Sequence, residues 1–329
     1  VGGVVRAILT VGIGVAAFAL ILGGLYFVTT KLPRSVREGS QVLLFVGPAL
    51  LLLLVGLVIP AIRTTYNSFF SDGAAGEFVG LENFGEIFTD RSARDTLTNT
   101  LLWVVVGTVF STVLGLTIAR LADRMRGEAA AKALIFLPTA ISLAGAGIIW
   151  KFVYAGPPTE VGLLNAVTDA IPGVPDQWGG NGDKLWLLSD WPINTLLLIV
   201  ILIWVQTGFA TVVFSAAIKG VPDSLLEAAR VDGANEREVF FKVVIPSIRA
   251  TIVTVVTTTV IAALKVFDIV KAATGGNFRT STIANDVYDN YFVRGRQNYG
   301  SALAVVLFLL VIPVVIVNQR NQTRAREIG

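Results

Sequence analysis

The chain has 329 residues, 54% of them hydrophobic and 15% charged, with a mean hydropathy of +0.72, which is too apolar for the surface of a soluble domain of this length. It contains no Cys and no His, so Cys or His metal sites, Cys nucleophiles, Ser-His-Asp triads and disulfides are excluded, and only carboxylate chemistry survives. The net charge of +3 and pI of about 9.2 come from bases dispersed among short segments rather than gathered on one face, so membrane topology accounts for them better than nucleic acid does.

Apolar stretches at 4–28, 41–62, 97–119, 133–154, 193–218, 247–270 and 301–318 are each about the length a tilted helix needs to cross a bilayer. Backbone polar groups in lipid must be satisfied within the segment, so the expected fold is an all-α integral membrane bundle of about seven helices. The first stretch holds Gly12-Ile13-Gly14, which reads as helix packing and not as a nucleotide site; no GxxxxGK[ST] loop occurs anywhere. A signal peptide is the rival reading of 4–28, but the run is long and no small-residue cleavage site stands out before Lys31. Residues 1–40 are therefore expected to be an extra N-terminal membrane helix and a basic cytoplasmic loop, ahead of a transmembrane domain at 41–329. The sequence begins at Val1 and its single Met is Met125, which leaves a further upstream span open.

Charge sorts the connections. The segments 31–40, 120–132, 219–249 and 319–329 hold 15 of the 26 Lys and Arg and should face the cytoplasm, with the C-terminus and its Arg320, Arg324 and Arg326 inside. The segments 63–96, 155–192 and 271–300 carry most of the acidic residues and should face outward. The segment 155–192 is rich in Gly and Pro, among them Pro157, Pro172, Gly173, Pro175 and Gly179, and reads as irregular. Its Trp178, Trp186 and Trp191 suit anchoring at a membrane interface.

The most informative segment is the cytoplasmic loop 219–246. Pro222 and Asp223 start a short helix and Gly233 ends it, where a turn with positive φ is wanted. Leu225, Leu226 and Ala229 are expected to form one apolar face, and Glu227, Arg230 and Asp232 a polar one. A short amphipathic helix between two membrane spans is suited to pressing into a groove on another protein. Glu227 has two readings, a partner for an external base or an internal ion pair with Arg230.

Glu227-Ala228-Ala229, then Gly233, then Val243-x-Ile245-Pro246 resembles the EAA signature of type I ABC importer permeases, with Val243 and Ile245 standing where the consensus has Ile and Leu. The likeness extends from about residue 41 to the C-terminus. Phe78-Val79-Gly80-Leu81-Glu82-Asn83-Phe84, Phe136-Leu137-Pro138, Phe267-Asp268-Ile269-Val270 with Thr274-Gly275-Gly276, and Gly300-Ser301-Ala302-Leu303-Ala304 look like the sugar-uptake branch, closest to α-glucoside permeases of the maltose-transporter type. This resemblance implies a core of six spans in a bacterial plasma (inner) membrane. It also implies that Glu227, Ala228, Ala229, Asp232 and Gly233 form a coupling helix docked on an ATP-binding subunit. The implied partners are a second homologous permease, two copies of the ATP-binding subunit that hold ATP and Mg, and an extracytoplasmic sugar-binding protein. The chain itself would carry no cofactor and no catalytic residue.

A neutral sugar needs hydrogen-bonding groups and aromatic faces inside the bundle. The candidates are Thr139 and Ser142 after Pro138, Gln206 and Phe209 three apart on one helical face, and Lys265 and Asp268, likewise three apart. Matched by their distance from Pro138, Lys219 and Gly275, these positions fall at or near the midmembrane sugar contacts of maltose-type permeases. All but Gln206, the best single candidate, have a plainer role: Thr139 and Ser142 can bond helix carbonyls, Phe209 can simply pack, and Lys265 can pair with Asp268. An intramembrane Lys costs roughly 2.5 to 3.5 kcal/mol, so Lys265 needs a partner or a wet cavity. Lys151, near an outer helix end, can snorkel. The rival classes are an ion-coupled secondary transporter, which would want internal repeats that the sequence does not show, and a carboxylate enzyme, which would want clustered acids where the outer ones are scattered.

Overall fold

Apolar runs of this length leave the backbone one way to satisfy its N–H and C=O groups in lipid, and the chain takes it. The computed structural model describes residues 2–31, 34–73, 76–123, 125–157, 161–180 and 182–328. Among these the regular elements are helices, and extended pairing is confined to a single bridge between Phe70 and Phe78. Residues 1–66 and 67–329 form two compact units.

The first unit holds α1 (Gly2–Thr30) and α2 (Arg34–Leu53), which a π-helical turn at Leu54–Val58 joins to α3 (Ile59–Asn67). The stretch 4–28 falls within α1, where Gly12–Ile21 is an apolar helical run. Within this unit a Cβ added to Gly12 or Gly14 would meet no described residue within 4 Å.

The second unit is arranged around one long helix. Outside it come α4 (Glu82–Thr89), α5 (Arg91–Leu102) and α6 (Thr108–Ala122), with a π-helical turn at Trp103–Gly107 between the last two. Then follow α7 (Glu128–Phe136), α8 (Leu143–Val153), α9 (Leu163–Ala170) and the central α10 (Ile193–Lys219). Apolar on all sides, α10 buries Leu198, Ile199, Ile201 and Leu202 completely, in one core with Trp103, Ala146, Ile269 and Val270. Small residues recur every fourth position alongside it: Gly107, Ser111, Gly115 and Ala119, all buried. A Cβ on Gly115 would stand 2.4 Å from Ala210 Cβ, and one on Gly107 3.1 Å from Leu202 Cδ2. This is the close backbone approach that a seam of small residues permits.

The chain continues through α11 (Asp223–Val231), α12 (Glu236–Ser247), α13 (Arg249–Leu264), α14 (Asp268–Ala273), α15 (Ile283–Tyr288) and α16 (Gln297–Ile328). Among the described residues, Phe45–Asn67, Arg91–Ala122, Ile193–Lys219 and Gln297–Asn321 are long and apolar enough to cross a membrane unbroken, and two bent pairs bring the number to as many as six.

The spans expected at 133–154 and 247–270 correspond to the two bent pairs. The first pair, Glu128–Ala140 with Leu143–Val153, turns by 101°. Pro138 removes a backbone donor there, the chain is extended at Ile141 and Ser142, and Ser142 Oγ caps the new helix by accepting from the Gly145 N–H at 3.1 Å. The second pair, Glu236–Ser247 with Arg249–Leu264, turns by 70° just after Pro246, and the helix stops again at Lys265 before α14 begins. The segment 155–192 also carries more order than its Gly and Pro suggest. Asn165, fully buried on α9, donates to the carbonyls of Ala155 and Lys184 at 2.9 and 2.8 Å and accepts from Trp186 Nε1 at 2.7 Å. Trp186 is therefore a core residue rather than an interface anchor, and Trp191 is half-buried with its Nε1 donating to Asn99 Oδ1 at 2.8 Å. Trp178 is the one of the three left exposed.

Candidate functional site

The loop after α10 is a short lever fixed at both ends. Val221 is buried and Leu226 packs inward with Phe214, Val244 and Ile248, so α11 is held against the bundle. Its C-terminus closes with two bonds, Ala234 N–H to the Ala229 carbonyl and Gly233 N–H to the Arg230 carbonyl, both at 3.0 Å. Gly233 takes the left-handed conformation that this closure requires, at φ +86°. Asn235 then caps α12 reciprocally with Glu238. The apolar face expected of Leu225, Leu226 and Ala229 is divided: Leu226 turns inward, while Leu225 and Val231 point out, 49% and 87% exposed. Glu227, Ala228 and Asp232 are exposed and Ala229 is half-buried. Arg230 pairs with Glu236 at 3.0 Å and not with Glu227, whose side chain is exposed.

An ionic cluster unannounced by local sequence ties this end of the bundle together. Lys132 Nζ meets Asp123 Oδ1 at 2.5 Å, Ser215 Oγ donates to the same oxygen at 2.7 Å, and Glu128 binds both Lys132 and Lys219. It joins the end of α6, the start of α7 and the end of α10. Arg120 lies 3.8 Å over the Phe240 ring, linking α6 to α12. Its bonds join residues up to 92 positions apart, beyond the reach of a pattern read along the chain.

Within the membrane the sequence candidates are not gathered into one pocket. Thr139 has a buried hydroxyl with no bonding partner, and it would stand 3.0 Å from a Cβ on Gly208, so it adjoins the α10 stretch that carries Gln206 and Phe209. Both of those are half-buried. Ser142 is committed to its cap. Lys265 and Asp268 are both exposed and form no ion pair with each other, because the helix breaks between them. The pair made in this region is instead Lys271 with Asp289, at 2.6 Å. Sequence reasoning missed a row of buried polar atoms without partners, Trp103 Nε1 and the hydroxyls of Thr108, Ser111, Thr112 and Thr207. The four-residue spacing of Gly107, Ser111 and Gly115 was the available signal.

On the expected outer side, the segment after α14 is clasped by amides. Asn99 Nδ2 donates to the carbonyls of Arg279 and Ser281 at 2.6 and 2.9 Å, and Asn194 Nδ2 to that of Phe278 at 2.7 Å. Gly275, Gly276, Phe278 and Arg279 all have positive φ, and Arg279 forks onto Asp95 at 2.8 and 2.9 Å. Beside them a polar pocket of about 160 Å³ reaches Asp286. Burial pushes that carboxyl above the usual range, although hydroxyls of Ser281 and Thr96 donate to it at 2.6 and 2.7 Å.

Residues 111–327 match the family model described as the binding-protein-dependent transport system inner membrane component. The osmoprotective compounds uptake permease protein GgtC of Synechocystis is 46% identical over 281 residues, 84% of this chain and 97% of that protein. The alpha-glucoside transport system permease protein AglF of Rhizobium meliloti is 43% identical over 298 residues, 88% of this chain and 85% of that protein. A chain of the crystal structure of a bacterial alginate ABC transporter, in complex with alginate pentasaccharide-bound periplasmic protein, aligns with a TM-score of 0.72 at 19% identity, over 90% of this chain and 98% of that one. At that identity the likeness is one of fold.

Proposed function

The chain belongs to the binding-protein-dependent transport system inner membrane components, and from that membership we propose that it is the permease subunit of an ATP-driven importer that carries a sugar, an α-glucoside or another disaccharide or oligosaccharide, into the cytoplasm. The observation that supports this best is α11, an exposed helix closed at Gly233 and anchored through Leu226, which offers Leu225, Glu227, Ala228 and Val231 to a partner. Two ATP-binding subunits, holding ATP and Mg, close and push on α11. The core formed by Leu226, Val221 and Phe214 carries the push into α10 and α6, and the bundle shifts between outward-open and inward-open states.

A second homologous permease completes the pathway, and an extracytoplasmic sugar-binding protein delivers the substrate to the outer face. Residues 41–329 make the transporter domain, and 1–40 add a helix before it. The sugar path runs past Gln206 and Phe209, with Thr139 at its side: an amide for hydroxyls and a ring for a pyranose face. Asp268 and the cap at Ser142 border this path. The chain has no catalytic role of its own, and its C-terminus lies in the cytoplasm.

Purification of the tagged chain from mild detergent, with mass spectrometry of what accompanies it, tests the reading. Stoichiometric recovery of an ATP-binding subunit and a second permease, with ATP-dependent sugar uptake in vesicles that also contain the binding protein, is the expected result. A lone chain that moves sugar in ATP-free vesicles under an ion gradient would replace the reading with ion-coupled transport.

A further inference from the structure

Lys265 caps the C-terminus of α13 with its side chain exposed, and its ammonium makes no ion pair or hydrogen bond with any described residue. It stands over a groove of about 420 Å³ lined by Ala284, Ala304, Leu307, Phe308 and Val311. Those α16 residues give its depth. Positions 304–311 lie roughly 10 to 21 Å along a candidate span of about 37 Å from Gln297 to Asn321, so the groove that Lys265 lines lies at the depth of the central part of that span. That depth is too great for the side chain to reach a lipid headgroup by snorkelling. Lys271, the next cation along, is neutralised by Asp289 within the chain, whereas Lys265 is not neutralised by Asp268.

A cation within a membrane span and without a counter-charge in its own chain points to an anion brought by something else. A neutral sugar brings none, and apart from Lys265 the groove is apolar, so sugar hydroxyls would lose their hydrogen bonds there. The small Ala284 and Ala304 leave room for a helix to approach closely, and exposed Phe308 offers it an anchor. We propose that this groove receives a membrane-spanning helix of the second permease subunit, with an Asp or Glu of that helix paired to Lys265. The inference rests on the importer reading and removes Lys265 from the sugar path.

The chain contains no Cys, so a Phe308→Cys variant carries a single thiol for cross-linking in the co-expressed complex. The expected product is a cross-link to the second permease, within about one helical turn of an acidic residue in one of its spans. Lys265→Glu should then reduce recovery of that subunit roughly tenfold or more, because a like charge replaces the pair, and changing the partner's acid to Lys should restore it. Recovery of the ATP-binding subunit serves as the control for folding.

Cross-linking only to another copy of this chain would overturn the proposal. So would full reaction of the thiol with a water-soluble maleimide in the assembled complex, which would make the groove an aqueous cavity. Undiminished recovery with Lys265→Glu would overturn it as well. If the unaltered chain recovers no second permease, the importer reading fails; if it recovers one that cross-links elsewhere, only this inference fails.

Discussion

Gly233 and Gln206 are single positions whose surroundings separate two kinds of failure. A Cβ on Gly233 would meet nothing within 4 Å, so a larger residue there clashes with nothing in this chain, and its cost is the left-handed backbone, about 1–2 kcal/mol for most residues and less for Asn. Gly233→Val should therefore insert normally yet lower uptake roughly tenfold, the equivalent of about 1.4 kcal/mol, while Gly233→Asn keeps most of it. Uptake and membrane content measured side by side check this. If Asn fails as badly as Val, the partner needs empty space at this position and the turn is not the cause. Gln206 is half-buried on α10. Gln206→Ala should weaken sugar uptake while the ATP-binding subunit still co-purifies; equal loss of both would make the amide structural.

The elements show where reading along the chain succeeds and where it stops. The loop helix at Asp223–Val231 and its closure at Gly233 were legible because both depend on neighbours in sequence: Pro222 before, Gly233 after, alternating faces between. The breaks at Ile141 and Ile248 were not, since a proline in a long apolar run is compatible with a gentle kink as well as with the 101° and 70° turns observed. Which way Leu226 faces, and that Trp186 is bonded to Asn165, 21 positions away, depend on neighbouring elements and not on the local run of residues. The seam of Gly107, Ser111, Gly115 and Ala119 was legible in principle, as a strict four-residue repeat of small side chains. Gly115→Ala tests its weight. The new methyl would stand 2.4 Å from Ala210 Cβ and 3.2 Å from backbone, so α6 and α10 must separate, at about 1–3 kcal/mol. The melting temperature in detergent should fall, whereas Gly12→Ala, with open space around it, should leave it unchanged.

At the scale of the whole molecule, the hydropathy pattern located the helices and the charge pattern gives their expected orientation, and the two rest on different physics. Length and apolarity require a bilayer without saying which end is inside; the orientation depends wholly on the bias of Lys and Arg toward one side. The same bias would place α11 on the cytoplasmic side, where the proposed ATP-binding subunit could reach it, so the proposed topology and the proposed coupling role stand or fall together. The absence of Cys makes this directly measurable with single replacements at two exposed positions, Asp183 on the expected outer side and Ser224 on the loop helix. In intact spheroplasts a membrane-impermeant maleimide should label Asp183→Cys and spare Ser224→Cys, and in inside-out vesicles the pattern should reverse. Labelling of Ser224→Cys from outside would put α11 on the wrong side for any ATP-driven push, and the coupling mechanism would fail even though every helix stayed where the structure has it.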